Sequence, residues 1–178
     1  MKSKVNVYIL SFIISILSSG LPRMALAENI SPADVAKIVQ KAHDNFTSNP
    51  QQIIDAFADN AIIEYPFAPQ DIPGFPRKIK GKKAISEYFY GLTNYIKNYR
   101  YDDWEKWKSW RLEGTDNYLL EYSATGETVQ GSKPYHQNLH AIVKIKNGKI
   151  TYFREYWDPY SALLIFGLIK KVSPDSNK

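Results

Sequence analysis

Residues 135–167 read YHQNLHAIVKIKNGKITYFREYWDPYSALLIFG. Asn147-Gly148 lies between two stretches of alternating apolar and polar residues. That pairing is a strong hairpin signal, because a two-residue type I′ turn needs positive φ at both positions. The arms cover residues 135–146 and 149–158. Strand side chains alternate between faces, so Phe153, Glu155 and Trp157 share one face of the second arm. His136 and His140 likewise share one face of the first. Asp158-Pro159 ends the second arm. The run that follows, Leu163, Leu164, Ile165, Phe166 and Leu168, is apolar enough to dock on the body of the protein.

Upstream, residues 102–112 and 117–128 also read as strands, joined by Gly114-Thr115-Asp116-Asn117, with Gly131-Ser132 leading into the hairpin. Four strands with short connections form an antiparallel meander. Before Tyr99 the period is helical. Ser31-Pro32-Ala33-Asp34 combines a cap, a proline for the first helical position and an acid for the positive helix end. Val35, Ile38, Val39, Ala42 and Phe46 then form one apolar stripe, with His43 beside it. Asn49-Pro50 opens a second, short helix with Ile53, Ile54 and Phe57 on its inner face. Residues 61–65 read as a strand ended by Pro66. Gly81 precedes a third helix whose stripe is Ile85, Tyr88, Phe89, Leu92 and Ile96. Helices first and strands later define an α+β class.

The first residues have a different character. Lys2 and Lys4 precede an apolar run from Val5 to Leu17, then Ser18, Ser19 and Gly20, then Ala25-Leu26-Ala27. That order predicts a secretory signal peptide over residues 1–27, cleaved after Ala27. The run is shorter than the ~20 apolar residues a membrane span needs, so no stable membrane insertion is expected after cleavage. Residues 28–170 then form the domain, 171–178 a disordered tail, and the protein is expected to be secreted or periplasmic. The chain has no cysteine, which excludes disulfides and thiolate metal sites. Packing must therefore hold the domain together, and a 14% aromatic content supplies bulk for it. A net charge of +5 is spread over small lysine clusters rather than one basic face, so no nucleic-acid partner is expected. No phosphate-binding, dinucleotide or Ser-His-Asp motif is present. His136 and His140 lie ~13 Å apart along a strand, too far to share one metal. No cofactor and no metal is expected.

The element order, with "IIEYPFAPQDIPGFPRKIKGKKAI" (62–85), "YDDWEKW" (101–107) and the closing hairpin (135–167), resembles the NTF2-like superfamily. Within it, the chain resembles the SnoaL-like, polyketide-cyclase-like branch and is similar to phenazine-biosynthesis A/B-type proteins. The resemblance implies a cone: a curved antiparallel sheet wrapped by three N-terminal helices around an apolar pocket. It also implies that Glu155, in the Arg-Glu-aromatic strand end, is a functional acid. The family's helix-three histidine is replaced here by Tyr88. The ketosteroid-isomerase branch places an aspartate before the proline of the first strand. Here Tyr65 stands there, and Glu64 points to the opposite face.

The residues themselves offer a parallel argument. A carboxylate between aromatic neighbours, if it faces a pocket, has its pKa raised by desolvation and becomes a proton donor or acceptor near neutrality. The candidate catalytic group is therefore Glu155, with Tyr88 and His140 as hydrogen-bond partners. Tyr65, Phe89, Trp107, Phe153 and Trp157 are the candidate pocket walls. Two readings stand. One is an exported, cofactor-independent isomerase, cyclase or hydrolase acting on a small hydrophobic molecule. The other is a non-catalytic module that holds such a molecule or a protein. A homodimer through the open sheet face is a further expectation.

Overall fold

The computed structural model describes residues 30–171. The expected signal peptide and all but the first residue of the expected tail lie outside the described residues. Helix α1 (Pro32–His43) begins as its sequence dictates: Ser31 Oγ accepts the Asp34 amide at 3.1 Å. Its buried face comprises Val35, Ala36, Val39, Ala42 and His43. Helix α2 (Pro50–Ala56) is one residue shorter than the stripe suggested, because Phe57 opens strand β1 (Phe57–Glu64). Phe57 is fully buried all the same, so the apolar signal was correct and the period was not.

A short strand β2 (Lys78–Lys80) follows the proline-rich loop and pairs antiparallel with β1. Helix α3 spans Lys82–Leu92 and buries Ile85 and Phe89. Ile96, expected to extend that helix, instead opens strand β3 (Ile96–Tyr101). A spacing of four, as from Leu92 to Ile96, keeps two residues on one face of a helix or of a strand, so the stripe does not show the turn between them. Residues 102–112 form two pieces rather than one strand. A 3-10 turn at Trp104–Lys106 separates β3 from β4 (Lys108–Arg111). The turn is secured by Trp107 Nε1, which donates to the Asp102 carbonyl at 2.9 Å. The remaining strands are β5 (Tyr118–Thr128), β6 (Pro134–Lys146) and β7 (Lys149–Tyr156). Helix α4 (Pro159–Ile165) is the docked apolar run, capped by Asp158, which accepts the Tyr160 amide at 2.9 Å.

The sheet order is β2-β1-β7-β6-β5-β3, with β4 also on β5. The antiparallel meander β5-β6-β7 is present as expected. One correction applies: β1 pairs with β7 in parallel, so the sheet is mixed. Helix α3 and five other strands lie between β1 and β7 in sequence, so local patterning does not reveal this partner. Bulges interrupt the β1–β7, β6–β7 and β3–β5 ladders, and such irregularities bend and twist a sheet. At Gly126 an added Cβ would sit 3.0 Å from Tyr99 Cδ2 and 3.3 Å from Tyr99 Cα. Glycine there lets β3 fold closely over β5. The result is a curved, unclosed sheet with helices against its concave side, and one aromatic-rich core between them.

Candidate functional site

A cavity of about 830 Å³ opens inside the cone, within the range of small-molecule sites. Aromatic rings from several elements and loops line it. Strand β3 supplies Tyr99 and Tyr101, and α3 supplies Tyr88 and Phe89. Tyr65 follows β1, Tyr135 opens the inner face of β6, and Trp157 follows β7. Helix α4 and residues 166–168 close one side through Ala162, Ile165, Phe166 and Leu168.

Glu155 is the single carboxylate among the described lining residues. It is 9% exposed. Tyr122 on β5 donates its hydroxyl to Glu155 Oε1 at 2.5 Å. Burial raises the Glu155 pKa from 4.5 to about 7, and the Tyr122 hydrogen bond holds back that rise by favouring the charged form. Burial also pushes the phenols of Tyr65, Tyr99, Tyr101 and Tyr122 well above 10, and that of Tyr88 to about 12. The Glu155 charge drives each of them further in the same direction. These hydroxyls therefore stay protonated, and Tyr122 is the one that donates to the carboxyl group.

Five of the expected site residues line this cavity together: Glu155, Tyr88, Tyr65, Phe89 and Trp157. Tyr65 and Tyr88 pack with ring centroids 5.6 Å apart, and Phe75 stacks on Trp157 at 5.8 Å. Three expected residues lie elsewhere. His140 is on the outer face of β6, 53% exposed at its side chain, with Nε2 3.4 Å from Glu121 Oε1. The inner face of β6 is Gln137, Leu139, Ala141, Val143 and Ile145, so the even-numbered histidines point outward. Trp107 stacks behind Tyr122 at 4.2 Å and lines a small outer depression instead of the cavity. Phe153 is beneath the floor, packed against His43 at 5.1 Å and Phe57 at 6.2 Å.

His43, Tyr99, Tyr101 and Tyr135 also line the cavity, and Tyr122 reaches Glu155 from β5; none of the five is among the candidates expected from sequence. His43 is 2% exposed and reaches the cavity from α1. Its Nδ1 lies 2.8 Å from the Val39 carbonyl, one helical turn earlier, which makes Nδ1–H the donor and leaves Nε2 as an acceptor. Burial lowers its pKa to about 4, so it is neutral at physiological pH. The Val39–His43 spacing of four was the available signal.

No protein-family model matches the chain. The uncharacterized protein YesE of Bacillus subtilis strain 168 is 28% identical over 109 residues, covering 61% of this chain and 70% of that protein. Among solved structures, a Bacillus subtilis protein described as a candidate isomerase superposes with a TM-score of 0.64 at 20% identity, over 78% of this chain and 96% of that one. A phenazine biosynthesis-related protein from Pseudomonas aeruginosa gives 0.58 at 13%, over 80% and 88%. An NTF2-like protein of unknown function from Burkholderia pseudomallei gives 0.58 at 11%, over 77% and 98%. At such identities the likeness speaks for architecture, and with the topology above it shows that the chain has the NTF2-like fold.

Proposed function

We propose that the protein binds a small, largely apolar molecule in this cavity and moves a proton on it with Glu155, in an isomerase- or cyclase-type reaction. The observation that carries the reading is one buried carboxyl group, with a pKa of about 7, ringed by protonated phenols. A general acid–base group works best when its pKa lies near the operating pH. Ionised Glu155 would take a proton from a carbon beside a carbonyl. Tyr65 or Tyr88 would donate a hydrogen bond to the oxygen on which negative charge develops. The protonated carboxyl would then return the proton at a neighbouring position. The shared fold with a candidate isomerase and a phenazine biosynthesis-related protein supports the same class.

We also propose that residues 1–27 direct export, on the strength of Lys2, Lys4, the apolar run and Ala25-Leu26-Ala27. N-terminal sequencing of the protein recovered outside the cytoplasm should begin at Glu28.

The chemical reading is tested by carbon-detected NMR titration of Glu155, assigned with Glu155→Gln, alongside deuterium uptake by cyclic ketones in heavy water. We expect a midpoint near 7 and uptake that Glu155→Gln abolishes. A midpoint near the ordinary glutamate value, with uptake indifferent to the substitution, would sink the proton-transfer reading and leave a pocket that merely retains its ligand.

A further inference from the structure

The cavity interior holds one carboxyl group, which among the described residues has no positive counterpart when ionised. Glu155 Oε1 receives the Tyr122 hydroxyl, while Oε2 makes no hydrogen bond or ion pair to any described residue. Arg154 and Lys78 are on the other side of the sheet, engaged with Glu64. Lys133, the one cation among the described lining residues, is exposed at the rim, where Nζ reaches the Ile165 carbonyl at 3.5 Å. His43, the remaining basic group, stays neutral above a pH of about 4.

Buried charges in proteins are normally paired, since leaving one alone forfeits its hydration for nothing. A neutral apolar ligand would fill the cavity and deepen that isolation. An organic cation would relieve it. The walls also suit a cation: Tyr88, Phe89, Tyr99, Tyr101, Tyr135 and Trp157 present aromatic rings, whose π faces attract positive charge.

We propose that the ligand of this cavity is an organic cation, an apolar body bearing an alkyl- or arylammonium group whose nitrogen lies against Glu155 among the tyrosine rings. The inference rests on the reading of this cavity as the ligand site, and it names the ligand class. Around Glu155, the facing groups are Tyr65 after β1, Tyr88 on α3, Tyr99 and Tyr101 on β3, Tyr122 on β5 and Tyr135 on β6. All are phenols that remain protonated. Among the described residues, the Glu155 carboxyl is thus the group in the cavity interior that changes charge between pH 6 and 8.

The test compares phenyltrimethylammonium with tert-butylbenzene, which have the same shape and differ in charge, by NMR titration of the full chain. At pH 8 the cation should bind about tenfold tighter or better. Its affinity should fall by about tenfold at pH 6, as Glu155 takes up a proton. Glu155→Gln, checked for folding by circular dichroism, should bind the two compounds alike. A smaller preference at pH 8, or a preference that survives Glu155→Gln, overturns the proposal. Should the variant not fold, a wild-type preference unchanged between pH 6 and 8 overturns it equally. If Glu155 titrates near 7 in the free protein and the cation is not preferred, the ligand class is wrong and the proton-transfer reading stands.

Discussion

Glu64 on β1 and Glu155 on β7 belong to neighbouring strands, and Glu64 is register partner to Arg154, the residue just before Glu155. Their carboxyl groups nevertheless occupy opposite electrostatic worlds. Glu64 points outward, where Lys78 Nζ lies at 2.6 Å, the Tyr152 hydroxyl at 2.7 Å and Arg154 Nε at 3.4 Å. The Lys78 and Tyr152 hydrogen bonds hold its pKa below 4.5 despite some desolvation. Glu155 points inward, has one phenol as donor, and rises to about 7. Residue type and strand neighbourhood are nearly shared. The side of the sheet decides which glutamate is a fixed charge and which can exchange a proton.

Four experiments would break or sharpen this contrast. The largest effect should come from Glu155→Gln, with a loss of about a thousandfold in proton exchange on a turned-over ketone. Glu64→Gln should leave that rate within about twofold. Equal losses in both variants would erase the distinction.

Next comes stability against pH, where Glu155 and His43 act in opposite directions. The folded pKa of Glu155 is raised, so its contribution is present below 4.5 and is lost as pH climbs to about 7. That of His43 is lowered from 6.5 to about 4, so its contribution is present above 6.5 and is lost as pH falls. Each is of order 3 kcal/mol, and between pH 4.5 and 6.5 they cancel. Urea titrations should show this flat window in the wild type. Stability of Glu155→Gln should rise with pH there, while that of His43→Phe should fall. Parallel profiles in both variants would contradict the assignment.

A smaller effect is expected from Tyr122→Phe. Removing the donor to ionised Glu155 should push its pKa up by about one more unit, read by NMR. Tyr152→Phe, on the outer face, should leave Glu155 where it is. The smallest change should be the stability of Glu64→Gln, about 1 kcal/mol or less at pH 7 and less still in high salt, because its partners lie near the surface. A loss of several kcal/mol would mean that the outer cluster is more deeply desolvated than its geometry shows.

Legibility followed the range of the interaction. The α1 cap at Ser31, the Asn147-Gly148 turn and the alternation of β7 are written in neighbouring residues, and each appears where expected. The face shared by Phe153, Glu155 and Trp157 was readable for the same reason. Errors arose where one pattern fits two structures. Ile96 continued the stripe of α3 on paper, yet the chain turns after Leu92 and Ile96 begins β3. His140 was misplaced although its neighbours Leu139 and Ala141 already marked the other face of β6 as inner. Trp107 was judged by size, and a large ring serves as well behind a phenol as in a wall.

By itself the sequence determined the α+β order, the closing hairpin and the placement of Glu155 on an aromatic strand face. Those features depend on contacts a few residues apart, where periodicity and turn chemistry act directly. Only the tertiary structure decided that β1 lies parallel to β7, that His43 and Tyr122 reach the neighbourhood of one carboxylate, and that no cation among the described residues lies beside it. Proton affinity depends on every group and every water excluded within several ångströms, and those neighbours come from six separate elements of the chain.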